Sequence, residues 1–224
     1  MKKLVIASLS LIILFNAHAQ YDPEALAVLD AMSNKYRKMT SFKAEWYETL
    51  YNKSAGMNEK TSLRTAVVKG KKFVLNLPDL GQVMYYNGDE LHRFSPEANE
   101  VFIVEDYDPE EEYDIRIDQV YDLYKEDFKY NLENLASFSD PTVRELAQAE
   151  SSDYIIKLTP EKRDLSYFLI RMVISSSYDI KSLVIYSDSG NRNIYNIKSY
   201  KRIDVEDSYF SFDFKNNPNV EVLR

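Results

Sequence analysis

The chain has 224 residues, a net charge of −8, two histidines and no cysteine. Without cysteine it can form no disulfide, offers no thiolate to a metal and cannot carry a diacylglycerol anchor of its own. An acidic balance of this size also argues against binding to nucleic acid or to anionic headgroups, which depends on clustered lysine and arginine.

The first residues read as a secretory signal. Lys2 and Lys3 give a charged start, residues 4–15 an apolar run, and Ala17-His18-Ala19 a small-residue cleavage site between Ala19 and Gln20. The run is shorter than the roughly 20 residues a membrane span needs, so stable membrane insertion is not expected. Loss of two lysines and no acid moves the net charge from −8 to −10. Residues 20–224 are then expected to form one domain, long enough to bury a full core.

Asp22-Pro23 is a helix start, and Ala25, Val28, Leu29, Met32, Tyr36 and Met39 mark one apolar face, predicting a helix over 23–38. The period changes to two at Ser41, with Phe42, Ala44, Trp46 and Leu50 on one face of a strand. A polar turn over 52–60 follows, then strands over 63–68 and 73–77 joined at Gly70. Strands over 82–86 and 90–94 flank Asn87-Gly88, a strong hairpin signal. After a strand over 101–104, seven of the ten residues 105–114 are acidic. Ile117, Val120, Tyr121, Tyr124 and Phe128 then recur at helical spacing, and Asp140-Pro141 starts a short helix ending near Gln148. The last third alternates again, with strands over 154–158, 167–174, 182–186, 193–201 and 209–214. Phe168, Ile170, Met172 and Ile174 form one apolar face there, and Phe210, Phe212 and Phe214 another. The short connections favour sequential antiparallel pairing. The pattern predicts an α+β, mainly β fold: one strongly curved antiparallel sheet, with two or three helices across its apolar face.

Catalytic chemistry is hard to build from these residues. His92 is the one histidine after the signal, it sits beside a hairpin with no triad spacing, and a packed or exposed strand residue is its expected role. No G-x-S-x-G, P-loop or dinucleotide fingerprint is present. One histidine and no cysteine leave too few ligands for a transition metal, and the acidic run lacks the spacing of a calcium loop. No cofactor is expected. What stands out is the 18 Tyr, 11 Phe, 6 Met and single Trp, which suit an ordinary core or an apolar cavity whose tyrosine hydroxyls stay hydrated at the rim.

Several segments together resemble the LolA-like family, periplasmic carriers of outer-membrane lipoproteins, in its longer Bacteroidetes-type form. They are Asn87-Gly88 before an aromatic-bearing strand, Ala98-Asn99-Glu100-Val101, Tyr107-Asp108-Pro109-Glu110-Glu111, and the run from Tyr124-Lys125-Glu126 to Phe128-Lys129-Tyr130. Leu158-Thr159-Pro160-Glu161, Phe212-Asp213-Phe214 and Val220-Glu221-Val222 extend the likeness. The resemblance implies an unclosed β-barrel whose concave face is covered by helices and encloses an apolar cavity. It further implies a non-enzymatic, monomeric periplasmic shuttle. The partners would be acylated lipoproteins, an inner-membrane ABC-type extractor and an outer-membrane acceptor. Cavity residues are then expected among Phe42, Trp46, Phe73, Leu75, Leu77, Met84, Tyr86, Phe94, Phe168, Ile170 and Met172 of the strands. Val120, Tyr121, Tyr124 and Phe128 would come from a lid helix. Where better-known relatives carry a Lys-Arg-Pro segment whose Arg latches the lid, this chain has Val68-Lys69-Gly70-Lys71-Lys72-Phe73. Lys71 or Lys72 could replace that guanidinium only in part. An acyl-chain-binding sensor, a carrier of another lipid, and a hydrolase with two carboxylates facing one cleft are the alternatives.

Overall fold

The computed structural model describes residues 21–109, 120–162 and 165–224. The first element, α1 (Pro23–Tyr36), begins where Asp22 and Pro23 predict. The Asp22 carboxylate accepts from the amides of Glu24 at 2.8 Å and Ala25 at 3.4 Å, filling donors that have no partner inside the helix. It also accepts from the amide of Leu132 at 3.0 Å, tying the helix start to a segment 110 residues away. Ala25, Val28, Leu29, Met32 and Tyr36 are all buried.

The first half of the sheet comprises β1 (Ser41–Asn52), β2 (Met57–Lys60), β3 (Arg64–Lys69), β4 (Lys72–Leu77), β5 (Gln82–Tyr86), β6 (Leu91–Ser95) and β7 (Glu100–Val104). β2 and β3 lie along one side of β1, β2 against 49–52 and β3 against 41–46. The second half comprises β8 (Phe128–Glu133), β9 (Tyr154–Pro160), β10 (Tyr167–Ile174), β11 (Ile180–Ser187) and β12 (Arg192–Arg202). The halves join where β1 pairs with β12, from Phe42 opposite Arg202 to Tyr51 opposite Arg192. Finally β13 (Glu221–Leu223) pairs parallel to β7. The order is β13-β7-β6-β5-β4-β3-β1-β12-β11-β10-β9-β8, and the two end strands do not meet. The result is a curved, unclosed sheet. Register shifts at Glu45/Trp46, Tyr167/Leu169 and Val173/Ile174 supply local bends, since an extra residue in one strand increases its twist.

Both faces of this sheet are covered. On the inner face α1 packs over β9, β10 and β11, burying Ile156, Leu158, Ile170, Met172, Ile174, Leu183 and Ile185. The neighbouring inner cluster holds Phe42, Ala44, Trp46, Ala66, Val68, Phe73, Leu77, Met84, Tyr86 and Leu91. On the outer face lies α2 (Pro141–Leu146), whose Val143 packs with Phe138 and Ala147 against Tyr51, Ile155, Val173, Val184, Tyr186 and Ile194. Asn196 Nδ2 donates to the carbonyl of Leu146 and Ser182 Oγ to that of Ala147, so the sheet itself caps the helix end. α2 therefore covers the outer face, while α1 covers the inner one.

Three expectations are corrected. Phe128 ends no helix: it opens β8, where Phe128, Tyr130 and Leu132 alternate with Lys129, Asn131 and Glu133. Asp127, at φ +56°, breaks any helical path into it. The turn over 52–60 contains a strand, β2. Residues 209–214 form no strand; a 3-10 turn, Asp207–Phe210, opens a strap across the outer face instead. Phe210 fills the space over Val67 and Val74, and Phe212 lies against Phe94 (4.7 Å between ring centres) and Tyr85 (5.9 Å). His92 is buried under this strap, its Nδ1 accepting from the amide of Phe212 at 3.3 Å.

Asp22→Ala should lower stability by about 1–2 kcal/mol, because it removes a cap and leaves the Leu132 amide without its acceptor; denaturant unfolding measures this. The strap is pinned by Asp207, which accepts from Lys69 at 2.8 Å and Lys72 at 2.7 Å. Those hydrogen bonds hold its carboxyl down to about 2 from an ordinary 3.8. A depressed folded value means the tether is fully present above pH 3.8 and is lost as pH falls through about 2. Asp207→Asn should speed amide exchange at Phe210 and Phe212 at neutral pH and flatten its acid dependence.

Candidate functional site

The inner face carries a continuous seam of aromatic rings. Tyr36 of α1 stacks on Tyr121 at 5.9 Å and meets Tyr200 of β12 edge-on at 4.5 Å; Tyr200 stacks on Phe42 of β1 at 4.4 Å. A second string runs from Phe73 to Tyr86 at 5.3 Å and on to Tyr107 at 5.4 Å. Met39, Tyr195, Ile197 and Tyr200 touch both inner clusters and so bridge them. Two of the hydroxyls are satisfied locally: Tyr36 accepts from the Ile180 amide at 2.9 Å, and Tyr86 donates to the Gly88 carbonyl at 3.0 Å. Burial pushes Tyr36 up to about 12.

A cavity of about 690 Å³ opens at one end of the seam. Its apolar lining comes from Met39, Phe42, Val68, Tyr86, Tyr107, Pro109 and Tyr121, and its rim from Thr40, Gly70, Lys71, Gly88, Asp89, Asp106 and Asp108. This size and mixture suit a ligand with an apolar body and a polar head.

Beyond the cavity the inner face of β1 stays apolar through Trp46 and then changes character at Glu48. Arg64 pairs with Glu48 and reaches Asp79 at 3.4 Å, while Asn193 donates to Glu48 at 3.3 Å. Tyr195 lies beside them, its phenol pushed up by burial and by the Glu48 charge. The run from Phe42 to Glu48 spans about 20 Å at roughly 3.3 Å per residue. An apolar interior thus has a polar floor.

The turn after the acidic segment is locked to α1. Asp122 accepts from Ser33 Oγ at 2.6 Å, Arg37 Nε at 2.8 Å and Lys125 Nζ at 2.8 Å, and Tyr124 donates to Asp30. Burial pushes the Asp122 carboxyl up, but the bonds from Lys125, Ser33 and Arg37 outweigh it and hold the group below its ordinary range.

Of the expected cavity residues, Phe42, Trp46, Phe73, Leu77, Met84 and Tyr86 share one inner cluster with Leu75 packed against it. Val120, Tyr124, Phe128, Ile170 and Met172 share the other, with Tyr121 beside them. Only Phe42, Tyr86 and Tyr121 of that set line the open cavity itself. Two are misplaced. Phe94 lies on the outer face against Phe212, because it pairs with outward-facing Val83. Phe168 is 45 % exposed, because the register shift at Tyr167/Leu169 turns it outward and puts Tyr167 in the inner cluster. Lys72 also points outward, to Asp207, whereas Lys71 stands at the cavity rim. Ala19, Gln20, residues 110–114 of the acidic run and Ile117 lie outside the described residues. Sequence reasoning missed Tyr107, hidden in an acidic run, and Tyr195, Ile197 and Tyr200, whose alternation is broken by the bulge opposite Glu45 and Trp46.

Among the described residues no helix is long and apolar enough to cross a membrane. No family model matches the sequence, and no curated protein does. Solved structures match over most of their length. The chain is similar in fold to a LolA superfamily protein. That structure, from Nitrosomonas europaea, has 13 % identity and a TM-score of 0.44 over 85 % of this chain and 98 % of its own. LprF from Mycobacterium bovis has 14 % identity and a TM-score of 0.46 over 83 % and 96 %. An uncharacterized conserved protein from Thermus thermophilus has 11 % identity and a TM-score of 0.48 over 90 % and 99 %.

Asp122→Asn should loosen the turn over 120–126 and cost about 1–3 kcal/mol, since it removes charge-assisted bonds; amide exchange and unfolding report it. As the folded carboxyl lies below its ordinary 3.8, the lock is present above that pH and is lost as pH falls below it.

Proposed function

We propose that the protein is a periplasmic carrier that shields the acyl chains of lipoproteins and moves them from the inner to the outer membrane. The observation that carries this reading is the inner face: two apolar clusters meet along an aromatic seam, and that seam opens into a cavity with a polar rim. The clusters meet across the β1–β12 ladder, where Tyr195, Ile197 and Tyr200 touch both. Tilting α1 and the 120–126 turn away from that ladder would open the seam further without breaking the hydrogen bonds of the sheet. An apolar lining there offsets much of the cost of an acyl chain in water, about 12 kcal/mol for a chain of roughly 16 carbons at about 0.8 kcal/mol per methylene. The signal over 1–19 fits export, and residues 20–224 would act as one carrier domain. The carrier would do no chemistry. An inner-membrane ATP-driven extractor would load it, and an outer-membrane acceptor of higher affinity would empty it.

Native mass spectrometry of the protein purified from its own periplasm tests this directly. Bound acylated protein is the expected result, bound free lipid would make it a carrier of another kind, and an empty protein that takes up no purified lipoprotein would overturn the reading. Val68→Phe, which fills the cavity from its wall, should reduce uptake of a lipopeptide at least tenfold while the circular dichroism spectrum stays unchanged.

A further inference from the structure

Among the described residues, the rim of the cavity carries an excess of negative charge. Asp89, Asp106 and Asp108 line it, all exposed, and Lys71 is the single cation among the described residues that do. Two turns hold these carboxylates in place. Asn87 Oδ1 accepts from the amides of Asp89 at 2.9 Å and Glu90 at 3.0 Å, and Asp106 sits at φ +55° just after β7. Immediately behind them the wall is aromatic, formed by Phe42, Tyr86, Tyr107 and Tyr121. A low-dielectric wall concentrates the field of nearby charges toward the opening. An apolar body seated in the cavity therefore places its head among three carboxylates and one ammonium.

We infer that the mouth selects acyl chains whose head is cationic and disfavours those whose head is anionic. This rests on the reading of the cavity as an acyl-chain site and adds the chemistry of the head. For an acylated peptide the preferred cargo carries lysine or arginine, rather than aspartate or glutamate, close to the acylated residue. Because the carboxylates are exposed, the discrimination is moderate and falls with salt.

The test uses probes with the same alkyl chain and different heads, each kept below its micelle concentration: dodecyltrimethylammonium, dodecyl maltoside and laurate. Trp46, the single tryptophan, is buried in the inner cluster, so its fluorescence follows entry of the chain. The ammonium probe should bind roughly tenfold more tightly than laurate at low salt, with the maltoside between them. The gap should narrow at high salt and close in the Asp89→Asn/Asp106→Asn variant, whose asparagines tolerate the same turn geometry. Lys71→Gln should widen it. Equal binding of all three would overturn the selection while leaving the acyl-chain site standing. Tighter binding of laurate would reverse the assigned sign. If the maltoside and the other two all fail to bind, the acyl-chain reading itself falls, and the selection with it.

Discussion

A sheet that curls without closing leaves two strand edges and two apolar faces to satisfy, and most of this chain is spent on that requirement. At one edge, β8 is met by the residues just before α1: Tyr21 bridges Tyr130, and the amide of Asp22 donates to the Tyr130 carbonyl at 3.1 Å. At the other, β13 pairs with β7 near the chain end. Unpaired edges invite association with other chains, and here residues 21–22 blunt one and β13 the other. The outer face is shared between α2 and the C-terminal strap. That leaves the inner face, with α1 and the Val120–Phe128 region over one half of it, as the surface that a ligand could enter.

Polarity on the inner face is layered. Carboxylates stand at the rim, aromatic rings come next, aliphatic side chains fill the middle, and the Glu48–Arg64–Asp79 group closes the far end. Paired charge at the floor is stable there because each partner satisfies the other and Asn193 adds a further bond. The aromatic layer is where α1 and Tyr121 meet the β1–β12 junction, and ring contacts slide and tilt at lower cost than a hydrogen-bonded ladder breaks. The lock at Asp122 joins the covering turn to α1 rather than to the sheet, so these two covering pieces would move as one.

Local pattern made most strands legible. The alternation over 82–86 and 167–174 has the bounds of β5 and β10, and Asp22-Pro23 and Asp140-Pro141 mark both described helix starts. What failed did so for identifiable reasons. Phe128 belongs at once to a helical spacing from Tyr124 and to the alternation of β8, and only the backbone at Asp127 decides between them. Phe168 obeys the alternation, but a bulge shifts the phase, and no residue pattern announced it. Phe94 has a sound apolar environment on the face opposite to the cavity, because a segment more than a hundred residues later supplies Phe212. The phenylalanines of the strap alternate as a strand would, yet Phe210 and Phe212 are buried against the outer face outside any strand ladder and Phe214 is left exposed. Periodicity reports which residues share a face; it does not report what later covers that face.

The pairing of β1 with β12 has a consequence for how the protein comes into being. β1 emerges near the beginning of the chain, whereas its partner is nearly the last strand to appear. Loop-closure entropy makes such distant pairing slow, while β3 to β7 and β9 to β12 can form from neighbours alone. Each half can thus assemble as a separate meander, with β1 holding one apolar face and one open edge in waiting. Until β12 arrives, that half presents an unpaired strand edge, so the interval before the β1–β12 ladder closes is the one in which the folding chain is most open to association with its neighbours.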